Sequence, residues 1–285
     1  MEAKTTETAD DGQKPYLHGY DSGMTTKMHA ARSVDKQAQF FLPYLRPGMR
    51  LLDCGCGSGS ITVGLAKAVA PGHVIAVDIA QVEVDRARER ANQQAVHNVR
   101  FEVGDIFQLD FPDDSFDAIF CHNVLEHQDD PLKALLEMKR VLKPGGVLGV
   151  RDADNGGDLL QPSNTLLQEW FTAGEAHWRS VRGDPWFGRR LPGIVRQAGF
   201  QPTIPTASFD VYGDQEGVHL IADVASSRCH EADYLQSIVG SGLATRERLA
   251  EWADAWLAWA EEPDAFFALA HGEVVGWKPE ESTPV

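Results

Sequence analysis

The sequence predicts an α/β fold: a doubly wound, largely parallel sheet with helices on both faces. Three observations carry this reading. Between Met49 and Arg151, five short apolar runs are interleaved with three segments of helical spacing. The runs are short and mostly apolar, and Met49 to Cys54, flanked by glycines, suits a strand buried on both faces. Turns rich in Gly and Pro punctuate the pattern at Arg46-Pro47-Gly48, Pro71-Gly72 and Lys143-Pro144-Gly145-Gly146.

The elements follow in order. Residues 1–15 are rich in Thr, Glu and Asp and read as a disordered tail. Residues 16–33 read as a loop with a short helix, and Val34 to Leu45 as a helix stopped by Pro47-Gly48. Met49 to Cys54 is the first buried strand. Ile61 to Val69 is a helix with Ile61, Leu65 and Ala68 on one face. His73 to Asp78 is a strand, Val82 to Gln94 a charged helix and Val99 to Val103 the third strand. Phe116 to Cys121, the helix Pro131 to Leu142 and the strand Val147 to Arg151 complete a core over 34–152. The region 153–200 is irregular and aromatic, with Trp170, Phe171, Trp178, Trp186 and Phe187, and is expected to cap the strand ends. In 201–285, a strand (Gln201 to Tyr212), a helix (Leu243 to Glu262) and a strand (Phe266 to Trp277) are expected to complete the same domain.

Composition excludes several classes of function. The 285 residues carry 26 Lys plus Arg against 42 Asp plus Glu, a net charge of −16. Such a surface repels phosphate backbones and argues against a nucleic-acid partner. No run approaches the roughly 18 to 20 apolar residues of a membrane span, and the polar N-terminus is unlike a signal peptide. Cys54, Cys56, Cys121 and Cys229 lack zinc-site spacing, so no metal is expected and the thiols read as reduced, in a cytoplasmic protein. A monomer or homodimer is expected.

In doubly wound sheets ligands sit beyond the carboxyl ends of the strands, and chemistry-bearing residues do follow the strands here. Gly55, Gly57 and Gly59 lie between an apolar strand and a helix, where glycine lets backbone approach a ligand. A dinucleotide fingerprint, Gly-x-Gly-x-x-Gly, would place its third glycine one residue later than Gly59. Asp53 at the loop's leading edge repels a pyrophosphate but suits an amino group, which favours an amino-acid-like ligand. Asp78, closing the second strand, suits a ribose diol. Asp105 suits an adenine amino group, with Ile79, Ile106 and Phe107 placed to sandwich the ring.

Together, Leu51-Leu52-Asp53-Cys54-Gly55-Cys56-Gly57-Ser58-Gly59, Val77-Asp78-Ile79, Gly104-Asp105 and Arg140-Val141-Leu142-Lys143-Pro144-Gly145-Gly146 resemble the class I S-adenosylmethionine-dependent methyltransferases. The likeness covers roughly residues 16 to 152 and is nearest the branch of the ubiquinone and menaquinone biosynthesis C-methyltransferases. It implies a Rossmann-like, seven-stranded sheet with its last strand antiparallel. It implies S-adenosylmethionine as methyl donor and S-adenosylhomocysteine as product. By the same likeness Asp78 holds ribose, Asp105 and Ile106 hold adenine, and Gly55 to Gly59 line the methionine part. Thr62 and His122 would touch the cofactor, and Tyr20 and Arg32 would belong to a lid, 16–33, over the methionine carboxylate.

The acceptor is expected to be a small molecule. His127, in His122-Asn123-Val124-Leu125-Glu126-His127, is the candidate general base, with helix capping as its alternative role. Asp152 and His177 are weaker candidates. Trp170, Trp178 and Trp186 are candidates for an aromatic acceptor wall, with core packing as the alternative. Other functions left open are non-methylating chemistry on the same cofactor (cyclisation or elimination), a catalytically silent partner subunit and, more distantly, an NAD-dependent oxidoreductase.

Overall fold

The computed structural model describes residues 28–181 and 183–280. The expected tail, and most of the expected lid with Tyr20, lie outside the described residues. A helical turn at 28–30 precedes a short helix, α1 (Val34–Gln37). The longer helix expected here does not form: Pro43 cannot donate within it, and Leu42–Tyr44 make a 3-10 turn instead.

The alternating core is β1 (Arg50–Cys54), α2 (Thr62–Val69), β2 (His73–Asp78), α3 (Gln81–Gln93), β3 (Val99–Val103), β4 (Phe116–His122), α4 (Pro131–Val141) and β5 (Leu142–Ala153). A short β6 (Leu159–Gln161) follows, then α5 (Thr165–Val181), α6 (Leu191–Gln197) and β7 (Thr203–Tyr212). Three helices, α7 (Gln215–Arg228), α8 (Ala232–Gly240) and α9 (Arg246–Ala260), lead to β8 (Phe266–Trp277).

β1 pairs in parallel with β2 on one side and β4 on the other, β2 with β3 and β4 with β5. The last strand, β8, runs antiparallel between β5 on one edge and β7 on the other. β6 continues the edge of β5 against the start of β8. This is the expected sheet with its antiparallel last strand, plus one short extra strand. The chain reverses its direction of winding between β1 and β4, which opens a crevice at their carboxyl ends.

Consecutive strand residues point to opposite faces, and both faces are covered. Leu51, Ala76, Ala118, Phe120 and Val147 pack under α2, α3 and Phe41. Leu52, Ile119, Cys121, Leu148 and Val150 pack under α4 and α6. Burial on both sides is why these strands read as unbroken apolar runs.

The cap is helical and has its own apolar cores. Trp256, Trp259, Leu167, Val218 and Ile221 form one, and Trp252, Leu249, Ile238 and Tyr234 the other. The cap is therefore assembled from two stretches: α5 inside the expected region, and α7 to α9 from the stretch expected only to complete the sheet.

Candidate cofactor and acceptor site

The loop after β1 is tied to β2: the N–H groups of Gly55 and Cys56 both donate to the Val77 carbonyl, at 2.8 and 3.0 Å. Gly55 and Gly57 both have left-handed backbone, at φ +74° and +49°, but they serve different ends. A Cβ at Gly55 would meet Val124 Cγ2 at 2.3 Å, so this glycine lets the loop press on the segment after β4. A Cβ at Gly57 would meet nothing within 4 Å. There the glycine is needed for conformation alone, and the loop faces open space.

Two carboxylates flank that space. Asp78 is nearly buried, and its oxygens are held by backbone donors: Gly57 N–H to Oδ2 at 2.8 Å and Ala80 N–H to Oδ1 at 3.0 Å. Burial raises its pKa, and these N–H groups oppose the rise. Each fixed oxygen keeps acceptor capacity for a hydroxyl. Asp53 is more deeply buried and takes a hydrogen bond from Thr62 Oγ1 at 2.6 Å. Burial pushes its pKa up to about 7; Thr62 opposes the rise and the Asp78 charge adds to it. Thr62 is itself fully buried, so the structure places it as the support of Asp53.

At the ends of β2 and β3 apolar side chains stand open: Ile79 is 41% exposed and Val103 50%. Asp105 is exposed beside them, with one oxygen turned back onto the Phe107 N–H at 2.8 Å. Ile106 is buried in the core under α4.

The ends of β4 and β5 form the other half. His122 Nδ1 lies 3.1 Å from the Arg151 carbonyl. Asp152 Oδ1 accepts from the N–H groups of Val124 and Glu126, at 2.9 and 3.3 Å, and Glu126 Oε2 accepts from Ala153 N–H at 2.8 Å. The two segments are thus laced together through buried acids, and burial raises both pKa values, Glu126 to about 7. His127 Nε2 is 3.3 Å from Glu126 Oε1, and its ring stacks on Trp178 of α5 at 5.5 Å and 9°. The capping role considered for His127 is taken by Asp130, whose Oδ1 accepts from Lys133 N–H at 3.0 Å. Burial lowers the His127 pKa to about 3, and the charges of Arg32 and Arg228 push the same way.

Arg32 reaches this region from the N-terminal side. Ser60 Oγ donates to the His29 carbonyl at 2.8 Å, which fastens the turn before Arg32 to the glycine loop. The Arg32 charge acts on His127, His122 and Glu126.

The strand ends therefore gather Arg32, Asp53, Gly55, Gly57, Gly59, Thr62, Asp78, Ile79, Asp105, His122 and His127, with Trp178 from the cap. The remaining aromatic candidates pack elsewhere. Trp170 meets Phe171 and Trp256 edge-on at 5.0 and 5.2 Å, inside the cap. Trp186 lies on the surface between the guanidinium groups of Arg179 and Arg189, at 3.9 and 5.5 Å. His177 sits against Tyr234, with Nδ1 3.4 Å from Ser237 Oγ. Sequence reasoning missed Glu126, Arg151 and His271. The available signal was a charge inside an otherwise apolar strand, as at Arg151 and Glu273.

Among the described residues no group of His, Cys, Asp and Glu is placed to hold a metal, and no helix is long and apolar enough to cross a membrane.

Comparison with known proteins agrees with the fold. A family model described as a methyltransferase domain matches residues 45–199. The probable methyltransferase ltbC of Aspergillus luteorubrus is 34% identical over 284 residues, covering 92% of this chain and 97% of that protein. An uncharacterized methyltransferase of Schizosaccharomyces pombe, C1B3.06c, is 32% identical over 279 residues, covering 93% and 97%. The crystal structure of the YcgJ protein from Bacillus subtilis shares the fold at a TM-score of 0.58, with 22% identity over 86% of this chain and 98% of that one. This chain belongs to the class I S-adenosylmethionine-dependent methyltransferases.

Proposed function

We propose that this methyltransferase acts on a small-molecule acceptor held between the ends of β4, β5 and β8 and the helical cap. The observation that carries the proposal is the stacking of Trp178, from the cap helix α5, flat on His127 in the turn that follows β4. The protein's own cap thus covers the methyl-transfer end, which suits a compact ligand better than a polymer. The net charge of −16 points the same way.

The residues present fit the cofactor. Asp78 would take the ribose hydroxyls, and Asp53 the amino group. Ile79 and Val103 offer apolar contact for adenine beside Asp105, and the open face at Gly57 admits the methionine chain. The cofactor supplies a methyl group on a sulfonium, already activated for in-line displacement. The protein's task is then to position the acceptor and exclude water. His127 is neutral at pH 7, and in this role it lies beside the acceptor under Trp178.

Calorimetry with S-adenosylmethionine, S-adenosylhomocysteine and NADH, and a turnover assay on small-molecule and macromolecular pools, test the reading. Binding of the first two and turnover with small molecules are expected. Asp78→Ala should weaken cofactor binding at least about 100-fold, the loss of two charge-assisted hydrogen bonds. NADH binding, or turnover with macromolecules alone, would refute the proposal.

A further inference from the structure

The sheet face covered by α1 carries a buried polar seam across β4, β5, β7 and β8. Arg151 is fully buried at its centre. Its Nη2 donates to Asp210 Oδ1 at 2.7 Å, and its Nε to Ser208 Oγ and Glu273 Oε1 at 3.2 and 3.3 Å. Ser208 Oγ and Thr206 Oγ1 donate to the two oxygens of Glu273, at 2.5 and 2.8 Å. Gln37 Nε2 of α1 donates to Asp210 Oδ1 at 3.2 Å. Both acids are therefore well supplied with donors.

Three buried nitrogens in the seam have no hydrogen-bond partner among the described residues: Arg151 Nη1, His122 Nε2 and His271 Nε2. The side chains that carry them are 0%, 5% and 1% exposed. The two imidazoles lie 5.7 Å apart. Each presents Nδ1 to a backbone carbonyl at 3.1 Å, of Arg151 for His122 and of Leu269 for His271. A carbonyl only accepts, so each Nδ1 carries the hydrogen. Burial keeps both rings neutral, so each Nε2 is a lone pair. The carboxylate beside His271 Nε2, Asp210 Oδ2, is 3.9 Å away and is also an acceptor.

The seam lies at the ligand end of the sheet. His122 closes β4, and His271 pairs with Ala153 at the end of β5. The Arg32 charge acts on His122, His271 and Asp210 alike.

We propose that His122 Nε2, His271 Nε2 and Arg151 Nη1 form an acceptor subsite that binds a neutral hydroxyl group, of a phenol, an enol or an alcohol. This inference rests on the small-molecule reading above. A hydroxyl oxygen accepts from the guanidinium while its hydrogen goes to an imidazole lone pair. An ammonium cannot accept from Arg151 Nη1, and a carboxylate cannot donate to the imidazoles. A hydrocarbon leaves all three atoms unpaired in a buried setting, where unpaired polar atoms are costly.

The test is nitrogen NMR of the full chain with 15N-labelled histidine, saturated with S-adenosylhomocysteine and titrated with phenol or, as a matched hydrocarbon, toluene. Phenol should shift the Nε2 resonance of whichever of His122 and His271 takes its hydrogen in a saturable way, and toluene should leave both in place. His271→Phe should weaken phenol binding about 10-fold while S-adenosylhomocysteine affinity stays within about twofold, the loss expected for one buried hydrogen bond. Resonances indifferent to phenol, or equally moved by toluene, overturn the subsite. So does a pair fully shifted by S-adenosylhomocysteine alone, which would assign these atoms to the cofactor. The two readings fail separately: an enzyme active on small molecules but indifferent to phenol loses only the subsite, and one without small-molecule turnover loses the broader proposal.

Discussion

Replacing Asp53 by Asn separates what this carboxyl does for binding from what it does to stability. Asp53 is 3% exposed, with Thr62 Oγ1 as its side-chain donor. Burial lifts its pKa from 3.8 to about 7. In the unfolded chain the same group titrates near its ordinary value, so between these limits the folded state holds a proton that the unfolded state has lost. By linkage, the stability this proton provides is fully present below about pH 4 and is lost as pH rises to about 7. From pH 5.5 to 8 the decline spans about 1.5 pH units, at about 1.4 kcal/mol each, or about 2 kcal/mol. Asn does not titrate and keeps an acceptor for Thr62. The stability of Asp53→Asn relative to the parent should therefore rise by about 2 kcal/mol between pH 5.5 and 8, read from urea unfolding at each pH. Binding should change oppositely. At pH 8 the variant should lose about 10- to 100-fold in S-adenosylmethionine affinity, the loss expected when a charge-assisted bond to an amino group becomes a neutral one. A stability difference that does not vary with pH would refute the buried, proton-holding Asp53. Unchanged affinity would remove it from the amino-group site.

The other expectations concern the loop and the acid pair. Gly55→Ala places a Cβ 2.3 Å from Val124 on left-handed backbone and should cost about 3 kcal/mol, whereas Gly57→Ala meets only the backbone penalty of about 1 kcal/mol; denaturant unfolding compares them, and equal costs would contradict the packing described. Glu126 titrates near 7 and His127 near 3. Asp53 lies in the same range, so the comparison is made in the Asp53→Asn background: an inflection in kcat near pH 7 should move in Glu126→Gln and survive in His127→Asn, and the reverse pattern would return His127 to the role of base.

Much of the core was legible because its physics is local. β2 and β3 occupy the residues that their apolar runs marked, and β1 differs only at Met49. Both faces of β1 and β2 are covered, so their apolar signal is nearly continuous and stops where burial stops, whereas β3, at the sheet edge, buries only Phe101 fully. The cap was less legible. The stripe Val218, Ile221, Ala222 and Ala225 in α7 has helical spacing, but its partners are on α5 and α9, and a short stripe among polar residues does not name them. The tryptophans illustrate the same limit. Trp170 and Trp178 occupy one helix, two turns apart; one packs into the cap core and the other covers His127. Aromatic content marks burial, and only the path of the chain decides what is buried against what. Arg151, Asp210 and His271 come from three strands widely separated in sequence, so only the sheet register brings them together.

The two halves of the site are built on different principles, and this bears on how far the family likeness reaches. The donor half is held by main chain: Asp78 by the N–H groups of Gly57 and Ala80, and the glycine loop by the Val77 carbonyl. Those contacts depend on backbone path, with the Thr62–Asp53 side-chain bond beside them. The proposed acceptor half is lined by side chains from β4, β5 and β8 and by a cap with separate apolar cores. A cap that buries its own tryptophans can change its inner surface without disturbing the sheet beneath it. The matched family region ends at residue 199, before α7, α8, α9, Asp210 and His271. Donor identity therefore follows from the shared domain, whereas the proposed acceptor site also draws, through His271, on a strand that the domain match does not include.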